Sequence, residues 1–367
     1  MARQKDTVNK EQTADPSVRQ RKLDHVELAI RDTALSGVDP GWSDITLVPV
    51  ALPDTNLNEV DLACEFLGFG LDAPVFIAGM TGGHPDVEKI NSALAIAARE
   101  HNVAMGVGSQ RAALADPELI QSYAVVRQQA PKGFICGNIG ISQVIDGQAD
   151  IDTLNRIIEM INANALAVHI NVLQELIQPE GMIEPGKAWD ALAQMVSTSP
   201  VPVIVKETGC GLDRVTATRL AETGIAAIDV GGAGGTSFAL IEGARAAQAH
   251  DLHRARLAQT FSAWGIPTAQ SVLEVRGMGL PIIATGGVTN GLQAAKALSL
   301  GAGLAGVGRK MLAAALAGPA AATEELGAII EEIRITLALS DCRTLEAFRK
   351  RKPVLSGKTA LWAERIG

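Results

Sequence analysis

The sequence predicts an α/β fold, a TIM-type (β/α)8 barrel preceded by an N-terminal extension. Three observations carry that prediction. Eight short apolar runs recur from residue 74 onward, stretches with helical apolar spacing separate them, and nearly every run ends in glycine or a small polar residue. Repeated βα units in that number favour a closed barrel over an open doubly wound sheet.

Composition agrees with one large α/β unit. The chain has 367 residues, 47% hydrophobic and 20% charged, enough to bury a sizeable core. A net charge of -8 argues against a general nucleic-acid or acidic-membrane surface and confines phosphate recognition to a local pocket. Cys64, Cys136, Cys210 and Cys342 are widely separated and form no CxxC pair, so neither a zinc site nor a disulfide framework is suggested. The N-terminal stretch lacks the apolar core of a signal peptide, and MLAAALAGPAAA is too short to span a bilayer. The expectation is a soluble, cytoplasmic protein.

Taken in order, residues 1–20 read as a mobile tail, residues 21–72 as an extension packed across one end of the barrel, and residues 73–367 as the barrel with C-terminal helices. The candidate strands are PVFIAGM (74–80), VAMGVGS (103–109), GFICGNIG (133–140), ALAVHINV (165–172), PVIVKET (202–208), AAIDVGG (226–232), PIIATGG (281–287) and LAGVGR (304–309). Between them lie amphipathic stretches such as VEKINSALAIAAREHN and DTLNRIIEMINAN. The strand ends MTGG, GVGS, GNIG, KETGCG, GGAGG, ATGG and GVGR converge on one face of such a barrel. Any one of these glycines could simply close a turn. Together they point to a large, flat or phosphate-bearing ligand that approaches backbone N–H groups.

Several side chains near those ends can carry chemistry. The loops after the seventh and eighth strands, Gly286-Gly287-Val288-Thr289 and Gly306-Val307-Gly308-Arg309, offer backbone donors, a hydroxyl and a guanidinium for a phosphate. Lys206 ends the fifth strand, either as a fixed cation over the mouth or as a lysine reaching solvent. Ser109, Gln110 and Arg111 follow the second strand; Arg21, Lys22 and His25 cluster in RQRKLDH, which also reads as a basic surface patch. In HINVLQELIQPEG, His169 and Asn171 share one side of a strand, with Gln174 and Glu175 at the mouth beyond it. Glu175 suits a magnesium ion held by one carboxylate, waters and substrate phosphates, or it is a solvated loop carboxylate.

RKLDH, MTGG, GSQR, HINVLQE with QPEG, VIVKETG, GGAGGTSF, TGGV and GVGR together resemble the FMN-dependent type 2 isopentenyl-diphosphate isomerases, in order from Arg21 to beyond Arg309. The resemblance implies FMN across the strand ends, contacted by Met80, Thr81, Gly82, Ser109, Asn138, Lys206 and Thr236, with its phosphate on Gly287, Val288, Thr289, Gly308 and Arg309. It implies substrate diphosphate on Arg21, Lys22, Ser109, Gln110, Arg111, His169 and Asn171, Mg²⁺ on Glu175, and Gln174 beside the isoprenoid carbons. Gln174, Lys206 and His169 would be the catalytic residues, NADPH the reductant of the flavin, and the assembly a homotetramer or homo-octamer. Thr289 stands where the family carries an arginine, leaving Arg309 and the helix beginning near Asn290 to compensate.

The implied reaction moves a double bond by one carbon, which needs a proton added at one end and removed at the other. Glutamine is a poor proton carrier, so reduced FMN becomes the acid and base, with Lys206 favouring its anionic ring. Three rivals stand beside this reading. Another FMN barrel, a 2-hydroxy-acid oxidase or a dihydroorotate dehydrogenase-like enzyme, would need a base suited to proton removal as hydride leaves. An inosine-monophosphate dehydrogenase-like enzyme would use Cys210 as nucleophile. A non-catalytic phosphate-ligand sensor would explain the glycines but not the polar cluster in HINVLQE.

Overall fold

The computed structural model describes residues 26–178, 181 and 184–366. Each apolar run forms a strand within its expected limits: β1 (Val75–Ile77), β2 (Ala104–Gly106), β3 (Ile135–Gly140), β4 (Ala165–Ile170), β5 (Val203–Glu207), β6 (Ala227–Asp229), β7 (Ile282–Thr285) and β8 (Leu304–Val307). All are parallel and follow one another in chain order around a closed barrel, with β8 pairing back to β1 through Ala305↔Val75, Gly306↔Phe76 and Val307↔Ile77.

Helices coat the outside, so the strands are buried on both faces and read as continuous apolar runs. The two-residue period then separates two cores. Val75, Ile77, Leu166, Val168, Val203, Val205 and Ile228 pack outward against the helices, whereas Phe76, Ala165, Ala167, Ile204 and Ala227 fill the barrel. Continuing each inward series by one step gives His169, Lys206 and Asp229. The register places these three at one level on adjacent strands, His169↔Lys206 and Lys206↔Asp229. Ala167 and Ala227 lie one inward step below His169 and Asp229, with Ile204 below Lys206, and polar groups at the next layer turn the packed barrel into a site at its C-terminal end.

The expected extension divides between the two ends. An antiparallel hairpin, Cys64–Phe66 with Phe69–Leu71, plugs the N-terminal end, where Phe66 and Phe69 meet Phe134 edge-on at 5.5 and 5.4 Å. Residues 26–46 instead reach the C-terminal face. There Trp42 is buried, its Nε1 donates to the Gly287 carbonyl at 3.1 Å, and Lys296 Nζ donates to the Trp42 carbonyl at 2.7 Å. Ile45–Thr46 pairs with Val354–Leu355, so the two ends of the described chain hold each other. The tail at 1–20, and Arg21, Lys22 and His25, lie outside the described residues. No helix among the described residues is long and apolar enough to cross a membrane.

Candidate active site

At the C-terminal strand ends lies a cavity of about 630 Å³, walled by the strand-end loops and by Val26, Ala29, Ile30, Leu35 and Pro40 of the extension. Its floor is flat because the loops abut without side chains. A Cβ on Gly79 would come within 2.3 Å of the Val107 carbonyl oxygen, and one on Gly287, at φ +64°, within 2.6 Å of the Gly234 oxygen. A cavity this size with a glycine floor accepts a planar ring system and a phosphate.

On one side of the floor, Asn138 orients His169. The Asn138 amide nitrogen donates to the Val107 carbonyl at 3.0 Å, which assigns its Oδ1, and that oxygen lies 2.8 Å from His169 Nδ1. Nδ1 therefore carries a proton, a tautomer set by a neighbour and not by the ring itself. Lys206 lines the same cavity, and its Nζ donates to the Glu207 carbonyl at 2.8 Å. Asp229, fully buried beside it, has its carboxyl pushed up by burial and drawn back by the Lys206 charge.

The opening of HINVLQELIQPEG forms one hydrogen-bond chain. Glu242 is completely buried and pairs with Arg245 at 2.5 Å, so it accepts. Gln174 Nε2 donates to Glu242 Oε1 at 2.8 Å, leaving Gln174 Oε1 to accept from Asn171 Nδ2 at 3.2 Å. Asn171 Nδ2 also donates to Glu175 Oε1 at 3.1 Å. Each amide is thus held in one orientation by the carboxylate beyond it. Among the described residues, both hydrogen bonds of the Asn171 side chain are made by its nitrogen, and its buried Oδ1 has no partner. Glu175, which lines the cavity, has the oxygen chemistry that a hard divalent cation takes. Glu242 escaped the sequence reading. Its signal is a carboxylate on the buried face of the helix Phe238–Gln248, among Ala239, Ile241 and Ala246.

The phosphate end differs from the expectation in its donors. Thr289 directs both its N–H and its hydroxyl to Gln293 Oε1, at 2.8 and 3.0 Å, so neither is left for a phosphate. The helix Gly291–Ser299 is capped from within: Gln293 N donates to Asn290 Oδ1 at 2.9 Å and Gly291 N to Glu332 Oε2 at 2.5 Å. It does not replace the missing arginine. Arg309 turns to the extension, donating to the carbonyls of Ala29 and Ile30 and to Asp32. What remains is the helix Arg309–Ala317, whose N-cap Gly308 provides no side-chain cap, next to Gly287 and Val288. Its first-turn N–H groups and positive dipole end fit a phosphate, and Lys310 also lines the cavity there.

Met80, Ser109, Arg111, Thr236 and Gly308 line the cavity as expected. Three residues do not. Thr81 and Gly82 are buried behind Met80, and Gly82 is required because a Cβ there would lie 2.0 Å from the Tyr123 ring. Gln110 is fully buried; it donates to the Ile157 carbonyl at 2.9 Å and accepts from Asn138 N at 3.0 Å, so it braces Asn138 instead of meeting a ligand. Beside the cavity, one oxygen of Glu207 accepts from the N–H groups of Gly209, Cys210 and Gly211. Burial still outweighs these donors and pushes the carboxyl up to about 7. The Cys210 thiol is pushed up to about 12 by burial and by Glu207, which removes it as a nucleophile.

A family profile for FMN-dependent dehydrogenases matches residues 149–353. The isopentenyl-diphosphate delta-isomerase of Methanosarcina acetivorans is 42% identical over 95% of this chain and 94% of its own length. That of Archaeoglobus fulgidus is 39% identical over 96% of this chain and 100% of its own. This chain belongs to the type 2 isopentenyl-diphosphate delta-isomerase family. Among solved structures, a mandelate oxidase with a monooxide FMN adduct superposes with a TM-score of 0.57 at 19% identity, covering 91% of this chain and 92% of that one. A lactate oxidase of Pediococcus acidilactici gives a TM-score of 0.64 at 18% identity, over 90% and 87%. At that identity the likeness is one of fold. This chain and these oxidases share a barrel, and a shared barrel does not by itself assign an activity.

Proposed function

We propose that this chain isomerises isopentenyl diphosphate to dimethylallyl diphosphate with FMN and Mg²⁺. The observation that carries the reading is the fixed chain Asn171–Gln174–Glu242 facing a glycine-floored cavity. It presents a fixed neutral amide at the cavity wall and keeps the Glu242 carboxylate buried behind it, paired with Arg245. FMN would lie over the strand ends near Lys206, with its phosphate on Gly287, Val288, Gly308 and the start of the following helix. When bound and reduced by NADPH, it supplies the acid–base couple and an electron-rich face.

The remaining roles fall to the chain's own residues. Lys206 places a cation beside the cofactor ring, stabilising negative charge there. His169, its Nδ1 held by Asn138, presents Nε2 to the diphosphate, alongside Arg111 and Ser109; Arg21 and Lys22 are proposed to add cationic contacts. Glu175 would hold Mg²⁺, which would neutralise charge on the diphosphate. Gln174 orients the isoprenoid carbons, its own amide fixed by the Glu242 carboxylate that accepts from Nε2.

The test is an anaerobic assay of isopentenyl diphosphate with FMN, Mg²⁺ and a reductant, expected to yield dimethylallyl diphosphate without net oxidation. No conversion under those conditions would dismiss the reading. Release of hydrogen peroxide from a 2-hydroxy acid in air would replace it with an oxidase.

A further inference from the structure

Arg309 borders the cavity, yet its guanidinium is directed at the extension. Nε donates to the Ala29 carbonyl at 3.1 Å, and Nη2 donates to the Ile30 carbonyl at 2.7 Å and to Asp32 Oδ1 at 2.6 Å. Residues 26–29 form a helical turn, so the two carbonyls lie at its C-terminal end, where acceptors lack internal partners and a cation is favoured. The Asp32 side chain is 91% exposed, which makes the ion pair a minor contributor and the paired carbonyls the main one.

The same stretch supplies a wall of the cavity through Val26, Ala29, Ile30 and Leu35. Its other end is fixed on a different loop. Ser36 N donates to the Gly235 carbonyl at 3.1 Å, Ser237 N donates to the Ala34 carbonyl at 2.8 Å, and Leu28 and Ala34 pack on Ile241. Residues 26–36 therefore form a strap from the loop after β8 to the loop after β6. At the β6 end backbone pairing and apolar contact hold it; at the β8 end Arg309 does.

We infer that Arg309 is a positioning residue for substrate binding, clamping this strap over the site, and not a ligand of the cofactor phosphate. The inference rests on the isomerase reading, since the strap must close on that substrate. Arg309 reaches carbonyls 29 and 30 from two nitrogens of one rigid fork, whereas a lysine would have to serve both from a single nitrogen on a flexible stem.

The experiment uses the full chain saturated with FMN and compares wild type with Arg309→Ala, Arg309→Lys and Asp32→Asn. Arg309→Ala is expected to raise KM for isopentenyl diphosphate about tenfold, with kcat and FMN affinity each within about threefold of wild type. Amide exchange in residues 26–36 should rise alongside. Arg309→Lys should fall between, and Asp32→Asn should stay near wild type. An unchanged KM, a tenfold loss of FMN affinity, or a KM increase without faster exchange would each overturn the inference. If wild type itself fails to isomerise the substrate, the function reading falls, while exchange across 26–36 in Arg309→Ala still decides whether Arg309 holds the strap.

Discussion

A glutamine is chemically inert on its own, and what gives Gln174 consequence is the carboxylate behind it. Glu242 lies fully buried, 2.8 Å from the Gln174 amide nitrogen, and its charge is matched by Arg245. Replacing it by glutamine keeps the volume but removes the charged acceptor that fixes the Gln174 amide. The expected result for Glu242→Gln is a fall in kcat of about a hundredfold through misplacement of Gln174, with KM little changed and the flavin spectrum retained; steady-state kinetics on the holoenzyme checks it. Glu175→Gln removes the proposed cation ligand, so half-maximal activity should require roughly tenfold more Mg²⁺; an unchanged titration would displace the metal from this residue. At this scale the sequence was informative about which side of a strand a residue takes. His169 and Lys206 follow the inward series by alternation alone. It was silent on Gln110, whose donors are claimed by Ile157 and whose acceptor is claimed by Asn138, both distant in the chain.

At the scale of elements, the loop following β5 shows how a buried carboxylate shapes a wall. Glu207 collects the N–H groups of Gly209, Cys210 and Gly211, and burial holds its carboxyl near 7. The sign follows from proton binding. In the unfolded chain this carboxyl titrates in the ordinary range, so between that range and about 7 the folded protein keeps a proton that the unfolded chain has lost. Its contribution is therefore full at low pH and declines as pH rises to about 7, by roughly 3 to 4 kcal/mol. Denaturant midpoints measured at pH 5 and pH 8 should differ more in wild type than in Glu207→Gln; equal differences would show that the group is not shifted. The helices at the phosphate end carry a related lesson. Asn290 reads as an open N-terminus in the sequence, yet Glu332, on the long helix Pro319–Leu339, accepts from Gly291 N there, while the Gly308 end carries no side-chain cap.

For the whole molecule, the described parts of the extension seal the barrel at one end and strap the cavity at the other. Large apolar side chains remain exposed, among them Leu52 at 88%, Leu361 at 67% and Trp264 at 65%. With the proposed homo-oligomer, light scattering should give the mass of a tetramer or octamer at micromolar concentration; a stable monomer would dismiss that proposal. The order of eight strands, the closed barrel and the face that carries the site were all legible in the sequence, because they follow from local periodicity and from glycine at successive strand ends. Which donors stay available at that face was not legible. Thr289, Gln110 and Arg309 all carry groups suited to a ligand, but each is engaged by a partner that only the closed barrel brings near, and Glu242 acquires its place the same way. Periodicity is written along the chain, whereas hydrogen-bond satisfaction is settled across it, between residues that meet only once the barrel has formed.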